Sequence, residues 1–496
     1  MQTILTCGEM KELDSQTIEK IGVPSAVLME RAALSVYEEI VSRFSEGAVL
    51  CVCGSGNNGG DGVAVARLLY HSGFNVAIYM AGDPAHYTEE TARQVKIAQN
   101  YGIPFVKGIE DEYDIIVDAL FGVGLSREVR GKYADLIEDI NCETAFKVAV
   151  DIPSGINGDT GQVMGIAVKC DLTVTFAYRK AGHLLYPGRV YCGETVCADI
   201  GIYASSSLPY TTSFERDDLR YYFRRDPAGN KSDFGKVLCV TGSKGMCGAS
   251  YMSAAGALKA GAGMVMIRTT EENRIPLQTL LPEAMLSTAE GEAEDRRVFD
   301  WCDTVVLGCG LGTTEAAAMR VRWYLKACRE NHKPLVIDAD ALNLISKNED
   351  MQEYLGSHTV LTPHPGEMSR LSGYTVEEIK NDPILTAFSF AEKTGAVVVQ
   401  KDACTVTASP DNWVYLNSSG NCGMGTAGAG DVLAGIIGGI LAALSKRSPY
   451  SDLCKAAAAG VYLHGLAGDE AAAEKGQASM TATDIIEGLS QVLRDL

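Results

Sequence analysis

Two stretches of this sequence run from an apolar β-type segment through a glycine-rich turn into apolar positions at helical spacing. That order of signals dictates a strand–loop–helix unit. The first is AVLCVCGSGNNGGDGVAVARLLYHSG from Ala48, with Val63, Ala66 and Tyr70 at helical spacing. The second is KVLCVTGSKGMCGASYMSAAGALKAGAGMVMIR from Lys236. Further β-type runs follow the first at Asn75–Met80, Tyr113–Val117, Phe146–Val150 and Leu172–Ala177. Others follow the second at Thr304–Leu307, Leu335–Ile337, Ala396–Gln400 and Cys404–Ala408. Short strands alternating with helix-like stretches build an α/β fold, a mostly parallel sheet covered by helices. Between the two series, Ala204–Asp217 is polar and carries a proline, which breaks the alternation. The boundary is placed there, giving units 1–212 and 213–496, a reasonable division of 496 residues. The last helices, beginning at Asp431, are rich in Ala and Gly, and no repeat at fixed spacing joins the halves.

Composition narrows the function. The formal net charge of −20 opposes approach to polyanions, so neither nucleic acid nor an anionic membrane is expected as partner. A bound anion must then be held locally, by backbone amides and helix N-termini. The fifteen cysteines are spread over a long chain with no C-x-x-C pair, which reads as reduced, buried thiols rather than a disulfide framework or structural zinc. The N-terminus lacks the basic-then-apolar pattern of a leader, and the longest apolar run, Val432–Leu444, is too short to span a bilayer. A soluble, cytoplasmic protein is expected. Its acidic surface and exposed helices permit a homo-oligomer without requiring one.

Gly54, Gly56 and Gly59 satisfy G-x-G-x-x-G after a strand and before a helix. Asn57, Asn58, Gly59, Gly60 and Asp61 sharpen the match: small residues bring amides against an anion, while two side-chain amides and a carboxylate offer oxygen ligands. The plainer reading is a turn closing helix on strand, with Asp61 as N-cap. Asp118 and Asp151 terminate expected strands, and ligands of open α/β sheets bind beyond strand carboxyl ends, so Asp61, Asp118 and Asp151 should converge. A hard cation on Asn58, Asp118 and Ser154 would relieve their repulsion. In the second half, Gly428, Ala429 and Gly430 at a helix start form an anion hole, with Asp431 in the first turn beside it. That is phosphoryl-transfer geometry without a Walker A loop. A capped, tightly packed Gly/Ala helix is the plainer alternative. His364 sits between two prolines after a β-run, Gly308, Gly310 and Gly312 end another strand, and Lys401–Thr405 joins two more.

These ordered segments, from GSGNNGGDG, VDALFGVGLSR and VDIPSGINGDTG through GCGLG, LVIDADALN, TPHPGEM and GTAGAGDVLAG, resemble the NAD(P)H-hydrate repair family. In it an NAD(P)H-hydrate epimerase domain of YjeF N-terminal type, with a Rossmann-like αβα sandwich, is fused to an ADP-dependent dehydratase of ribokinase-like fold. The resemblance implies a substrate that composition does not reveal: NADH or NADPH hydrated at C6 of the nicotinamide ring (NADHX, NADPHX). It implies that Asn57, Asn58, Gly59, Gly60, Asp61 and the segment Gly122, Val123, Gly124, Leu125, Ser126, Arg127, Glu128 bind the hydrate, with Asp151 in contact. It further implies a potassium ion on Asn58, Asp118 and Ser154. In the second half the hydrate would lie against Ala262, Gly312, His364 and Asp431. ADP, with Mg2+, would be held by Lys401, Asp402, Ala403, Cys404, Thr405, Gly428 and Gly430.

The chemistry expected of these residues is acid–base help at a hemiaminal-like carbon, from Asp151 foremost and Asp118, and phosphoryl transfer with Asp431 as base. Two departures stand out. Asp402 occupies a position where relatives commonly carry Gly, and Cys309 one where Pro is frequent. The rival readings are a Rossmann dehydrogenase fused to a small-molecule kinase, with Asp83 as the ribose-binding acid, and a non-catalytic nucleotide sensor. An acid inside the phosphate loop counts against the first, and the retained Asp118, Asp151 and Asp431 against the second.

Overall fold

The computed structural model describes residues 1–109, 112–203, 211–447 and 452–496. The chain divides into two compact units, Thr3–Pro209 and Met1–Gln2 with Tyr210–Leu496. The break falls in the polar stretch between the two strand series, of which residues 204–210 lie outside the described residues.

In the first unit seven strands form an all-parallel sheet: β1 (Ala48–Cys53), β2 (Asn75–Met80), β3 (Phe105–Val106), β4 (Ile115–Ala119), β5 (Phe146–Val150), β6 (Leu172–Phe176) and β7 (Glu194–Ala198). Their order is β3-β2-β1-β4-β5-β6-β7. This is the Rossmann-type arrangement, whose ligand crevice lies beyond the strand carboxyl ends where the order reverses, between β1 and β4. Alternate side chains of β1 serve opposite faces. Val49, Cys51 and Cys53 join the core under helices α1 (Ser25–Arg43) and α2 (Asn57–His71), while Leu50 and Val52 meet Leu136, Ile137 and Ile140 of α4 (Lys132–Cys142). A further helix, α3 (Glu89–Asn100), packs against α2.

Glycine sets the approach of α2. A Cβ on Gly59 would lie 2.0 Å from the Gly54 carbonyl oxygen, and one on Gly62 would lie 2.4 Å from the Ala119 Cβ. Helix and sheet therefore meet at backbone distance. Tyr70, expected on the inner face of this helix, is exposed, and Leu69 takes the buried place. Asp118 does not end its strand but is the fourth residue of β4.

Among the described residues the second unit carries ten strands: β8 (Thr211–Ser213), β9 (Lys236–Val240), β10 (Met264–Arg268), β11 (Met285–Ser287), β12 (Thr304–Leu307), β13 (Leu335–Ile337), β14 (Thr359–Leu361), β15 (Val397–Gln400), β16 (Val406–Ala408) and β17 (Val414–Leu416). The order is β11-β10-β9-β12-β13-β14-β15-β16-β17-β8, parallel except where β16 runs against β15 and β17. Helix α5 (Cys247–Lys259) packs on helix α7 (Ala429–Arg447), where a Cβ on Gly435 would lie 1.9 Å from the Ser253 carbonyl oxygen. By length and composition α7 could cross a membrane, but it is mostly buried in this core. It begins at Ala429, two residues before the expected start, because Gly428 turns the chain at a φ of 92°.

Candidate active sites

Where the first sheet reverses, a cavity of about 770 Å³ opens, within the range of small-molecule sites. Asn57, Asn58 and Asp61 of α2, the segment Gly122–Arg127, and Asp151 line it. The α2 N-terminus has Gly56 at its cap with no side-chain hydrogen bond there, which leaves first-turn amides for an anion.

Asp151 follows β5 directly and takes a left-handed φ of 70°. Its Oδ1 accepts from Lys180 Nζ at 2.5 Å, from Thr175 Oγ1 at 2.8 Å and from the Phe176 amide at 3.4 Å. Lys180 is fully buried. Burial alone would push the Asp151 carboxyl up, but the Lys180 charge and hydrogen bond outweigh it and hold the group below its ordinary value. Behind them His183 Nδ1 accepts from the Lys180 amide at 3.0 Å, so Nε2 carries the proton and donates to the Asp151 carbonyl oxygen at 2.9 Å. Burial, then the Lys180 charge, pushes this imidazole down to about 4, which keeps it neutral.

Asp61 is in the opposite state. Among the described residues it has neither hydrogen bond nor ion pair. Burial, then the charges of Asp151 and Asp14, raise its carboxyl well above the ordinary value. One cavity thus holds a carboxylate stabilised by a buried cation and a carboxyl whose charged form is disfavoured, the pattern that separates base from acid.

Several expected residues lie elsewhere. Asp118 is fully buried and does not line the cavity: Ser154 Oγ donates to its Oδ1 at 2.6 Å and the Ser154 amide to its Oδ2 at 2.7 Å. Burial pushes it up to about 6 against those bonds. It is therefore not placed for acid–base work on a ligand. Gly59 and Gly60 are packed inside, their amides bonded to the Gly56 carbonyl, so they shape α2 rather than meet a ligand. Glu128 faces away and pairs with Arg130 at 2.5 Å. Sequence reasoning missed Lys180 and Asp14. Lys180 lies just beyond the carboxyl end of β6, a place the crevice rule could have flagged. Asp14, on the helix Cys7–Gln16, carries no local signal.

The second unit has a cavity of about 560 Å³ lined by His364, Lys401, Asp402, Ala403, Thr405 and Gly430, with Asn417, Asn421 and Ala429. His364 caps helix α6 (Pro365–Ser372), its Nδ1 accepting from the Gly366 amide at 3.0 Å. Lys401 Nζ donates to Asp338 Oδ1 at 2.6 Å. Asp431 does not line this cavity but lies beside Asp338, and burial, then that neighbour, pushes it up to about 6. Gly312 donates its amide to Asp340 at 2.8 Å, near Ser243. Asp402 accepts from the Ala403 amide and so shapes its own loop. Cys404 is buried with Sγ toward the Asn417 carbonyl oxygen at 3.3 Å, and Gly428 packs on Met252, so neither side faces the cavity. Ala262 is buried ahead of β10, at the amino edge of the sheet and away from the other expected residues. That placement removes it from the crevice.

The NAD(P)H-hydrate dehydratase family model matches residues 237–491, and the YjeF-related protein N-terminus model matches residues 25–182. The bifunctional NAD(P)H-hydrate repair enzyme Nnr of Thermofilum pendens is 37% identical over 99% of this chain and 96% of its own. This chain belongs to the bifunctional NAD(P)H-hydrate repair enzyme family. Nnr of Escherichia coli is 35% identical, covering 99% of this chain and 94% of its own. A ribokinase-like superfamily protein from Enterococcus faecalis, 28% identical, covers 59% of this chain and 99% of its own with a TM-score of 0.50. Both modules of the repair-enzyme family are thus present, and each contains one of the two cavities.

Proposed function

We propose that the first cavity interconverts the 6R and 6S hydrates of NADH and NADPH, and that the second dehydrates the 6S form with ADP, releasing AMP and phosphate. The observation that carries the first assignment is the contrast between Asp151, paired with Lys180, and the unpartnered Asp61 in one cavity. Asp151 takes the C6 hydroxyl proton as the C6–N1 bond opens, and Asp61 delivers a proton to N1. Rotation about C5–C6 presents the other face of the resulting aldehyde. The reverse transfers then close the ring with inverted configuration. Lys180 stays bonded to Asp151 and keeps it ionised between turnovers.

At the second site Asp431, next in the chain to Gly430 of the cavity lining, takes the hydroxyl proton as the C6 oxygen attacks the terminal phosphoryl group of ADP, which enters as its magnesium complex. Amides at the α7 N-terminus stabilise the developing charge. AMP departs, the ring nitrogen expels phosphate, and loss of the C5 proton restores the double bond.

Asn58, Asp118 and Ser154 fit a potassium ion. Ser154 Oγ lies 3.2 Å from the Phe121 carbonyl oxygen, so hard oxygen donors cluster there. The buried Asn58 Nδ2 has no acceptor. Turning that amide over would present its oxygen instead, the orientation a cation selects. A bound ion would supply positive charge beside Asn58, the one of the three that lines the cavity. A cytoplasmic location, without nucleic-acid or membrane partners, belongs to the same proposal, supported by fifteen free cysteines and a net charge of −20.

The test separates the 6R and 6S hydrates by chromatography and follows their interconversion in potassium and in sodium, then dehydration with ADP and with ATP. Interconversion favoured by potassium and dehydration favoured by ADP support the reading. Neither reaction under any condition overturns it.

A further inference from the structure

At the carboxyl ends of β12 and β13, Cys309 Sγ and carboxylate oxygens of Asp338 and Asp431 lie within 4.8 Å of one another. Phosphoryl transfer gives the thiol no task. We propose that these three side chains form an inhibitory site for a thiophilic divalent cation such as Zn2+.

The three side chains already bond to one another through the Cys309 thiol, whose proton an ion would replace. Asp338 Oδ1 accepts from Lys401 Nζ at 2.6 Å and from Thr362 Oγ1 at 2.8 Å. Its other oxygen, Oδ2, accepts from Cys309 Sγ at 4.0 Å. Zn–S and Zn–O bonds of about 2.3 and 2.0 Å at a tetrahedral angle put sulfur and oxygen about 3.5 Å apart, so a movement of about half an ångström closes the pair on an ion. The charges close as well. Two carboxylates and a thiolate are balanced by the dication and Lys401. Without the ion, Asp338 and Asp431 repel each other across the cluster.

The donor set selects the metal. Magnesium prefers an octahedral shell of oxygens, whereas a thiolate favours zinc or cadmium. On binding, the Cys309 S–H loses its proton to solvent and the metal–sulfur bond forms, with no redox change. Three protein ligands leave a fourth position for water. With Asp431 engaged, dehydration stops while epimerisation continues. The inhibition rests on Asp431 being the dehydratase base; the binding does not.

The test uses the full chain. Zn2+ is titrated at saturating magnesium-ADP while both activities are followed. Dehydration should fall and recover with a chelator, and epimerisation should persist. Cys309→Ala should need roughly tenfold more Zn2+ or worse, relative to its own uninhibited rate. Cys142→Ser, an exposed thiol on α4 of the first unit, should stay as sensitive as the unaltered chain. Independently, Cd2+ should give a thiolate charge-transfer band and a released proton that the Cys309→Ala protein lacks. Equal Zn2+ sensitivity with and without Cys309, or no difference in the cadmium band, overturns the site. A cadmium band on Cys309 with dehydration intact keeps the site and removes Asp431 from the base role.

Discussion

Replacing Lys180 with methionine keeps the length of a buried side chain and removes the ammonium 2.5 Å from Asp151. Lys180 is wholly inside and the Asp151 side chain is only 12% exposed. Breaking such a pair on one side leaves a buried charge and costs about 3–5 kcal/mol, a large share of a domain's ordinary stability. The sign of the pH dependence follows. In the unaltered chain the Asp151 carboxyl sits below its unfolded value, so its contribution is present above about pH 4 and is lost as pH falls through the folded value. In Lys180→Met the largest opposing influence is gone, the Thr175 and Phe176 hydrogen bonds remain, and burial raises the folded value. The deficit is then absent below about pH 4 and grows as pH rises toward that raised value. Denaturant unfolding of the epimerase unit at two pH values, with dehydratase activity as an internal control, measures this. The variant should be closest to the unaltered chain in acid and should epimerise poorly at neutral pH, its base protonated. Adding Asp151→Asn should restore most of the stability and none of the activity, since Asn tolerates the left-handed φ of 70°. A Lys180→Met protein within about 0.5 kcal/mol of the original, with an unchanged epimerase pH profile, would refute the reasoning.

Asp61→Asn should lower the epimerase kcat by about 10²–10⁴-fold and erase the loss of rate seen as pH rises through the raised Asp61 value. An equal rise in KM with the profile intact would show a binding role instead. Asp431→Asn should abolish dehydration to a similar degree while leaving epimerisation untouched, read in one chromatographic assay. Gly428→Ala places a Cβ 2.0 Å from Met252 Sδ at a φ of 92°, and should cost about 1–3 kcal/mol in the second unit's unfolding transition. His364→Ala removes the α6 cap and should cost about 1 kcal/mol in that same transition.

Strands Asn75–Met80, Phe146–Val150, Thr304–Leu307 and Leu335–Ile337 stand where the sequence places them. Parallel strands buried on both faces read as unbroken apolar runs, a signal that survives without tertiary information. Asp118 shows the limit: a lone acid in such a run reads as a strand end, yet here Ser154 satisfies it inside β4. Lys180 was invisible because its meaning comes from Asp151, 29 residues away, and a buried lysine leaves no local pattern. Ala262 shows that a role implied by resemblance still has to meet the fold, which sets this residue at the amino edge of the sheet. Glu128 follows the same rule, since a neighbouring arginine holds it outward.

The central claim is that two independent sites in one chain act in sequence on the same hydrate. Mixed 6R and 6S NADH hydrates, with ADP, magnesium and potassium, would be followed by the return of NADH absorbance. The unaltered chain should convert the mixture completely, Asp151→Asn should stall once the 6S form is exhausted, and Asp431→Asn should produce no NADH while still interconverting the epimers. Complete conversion by both variants at the original rate would contradict it.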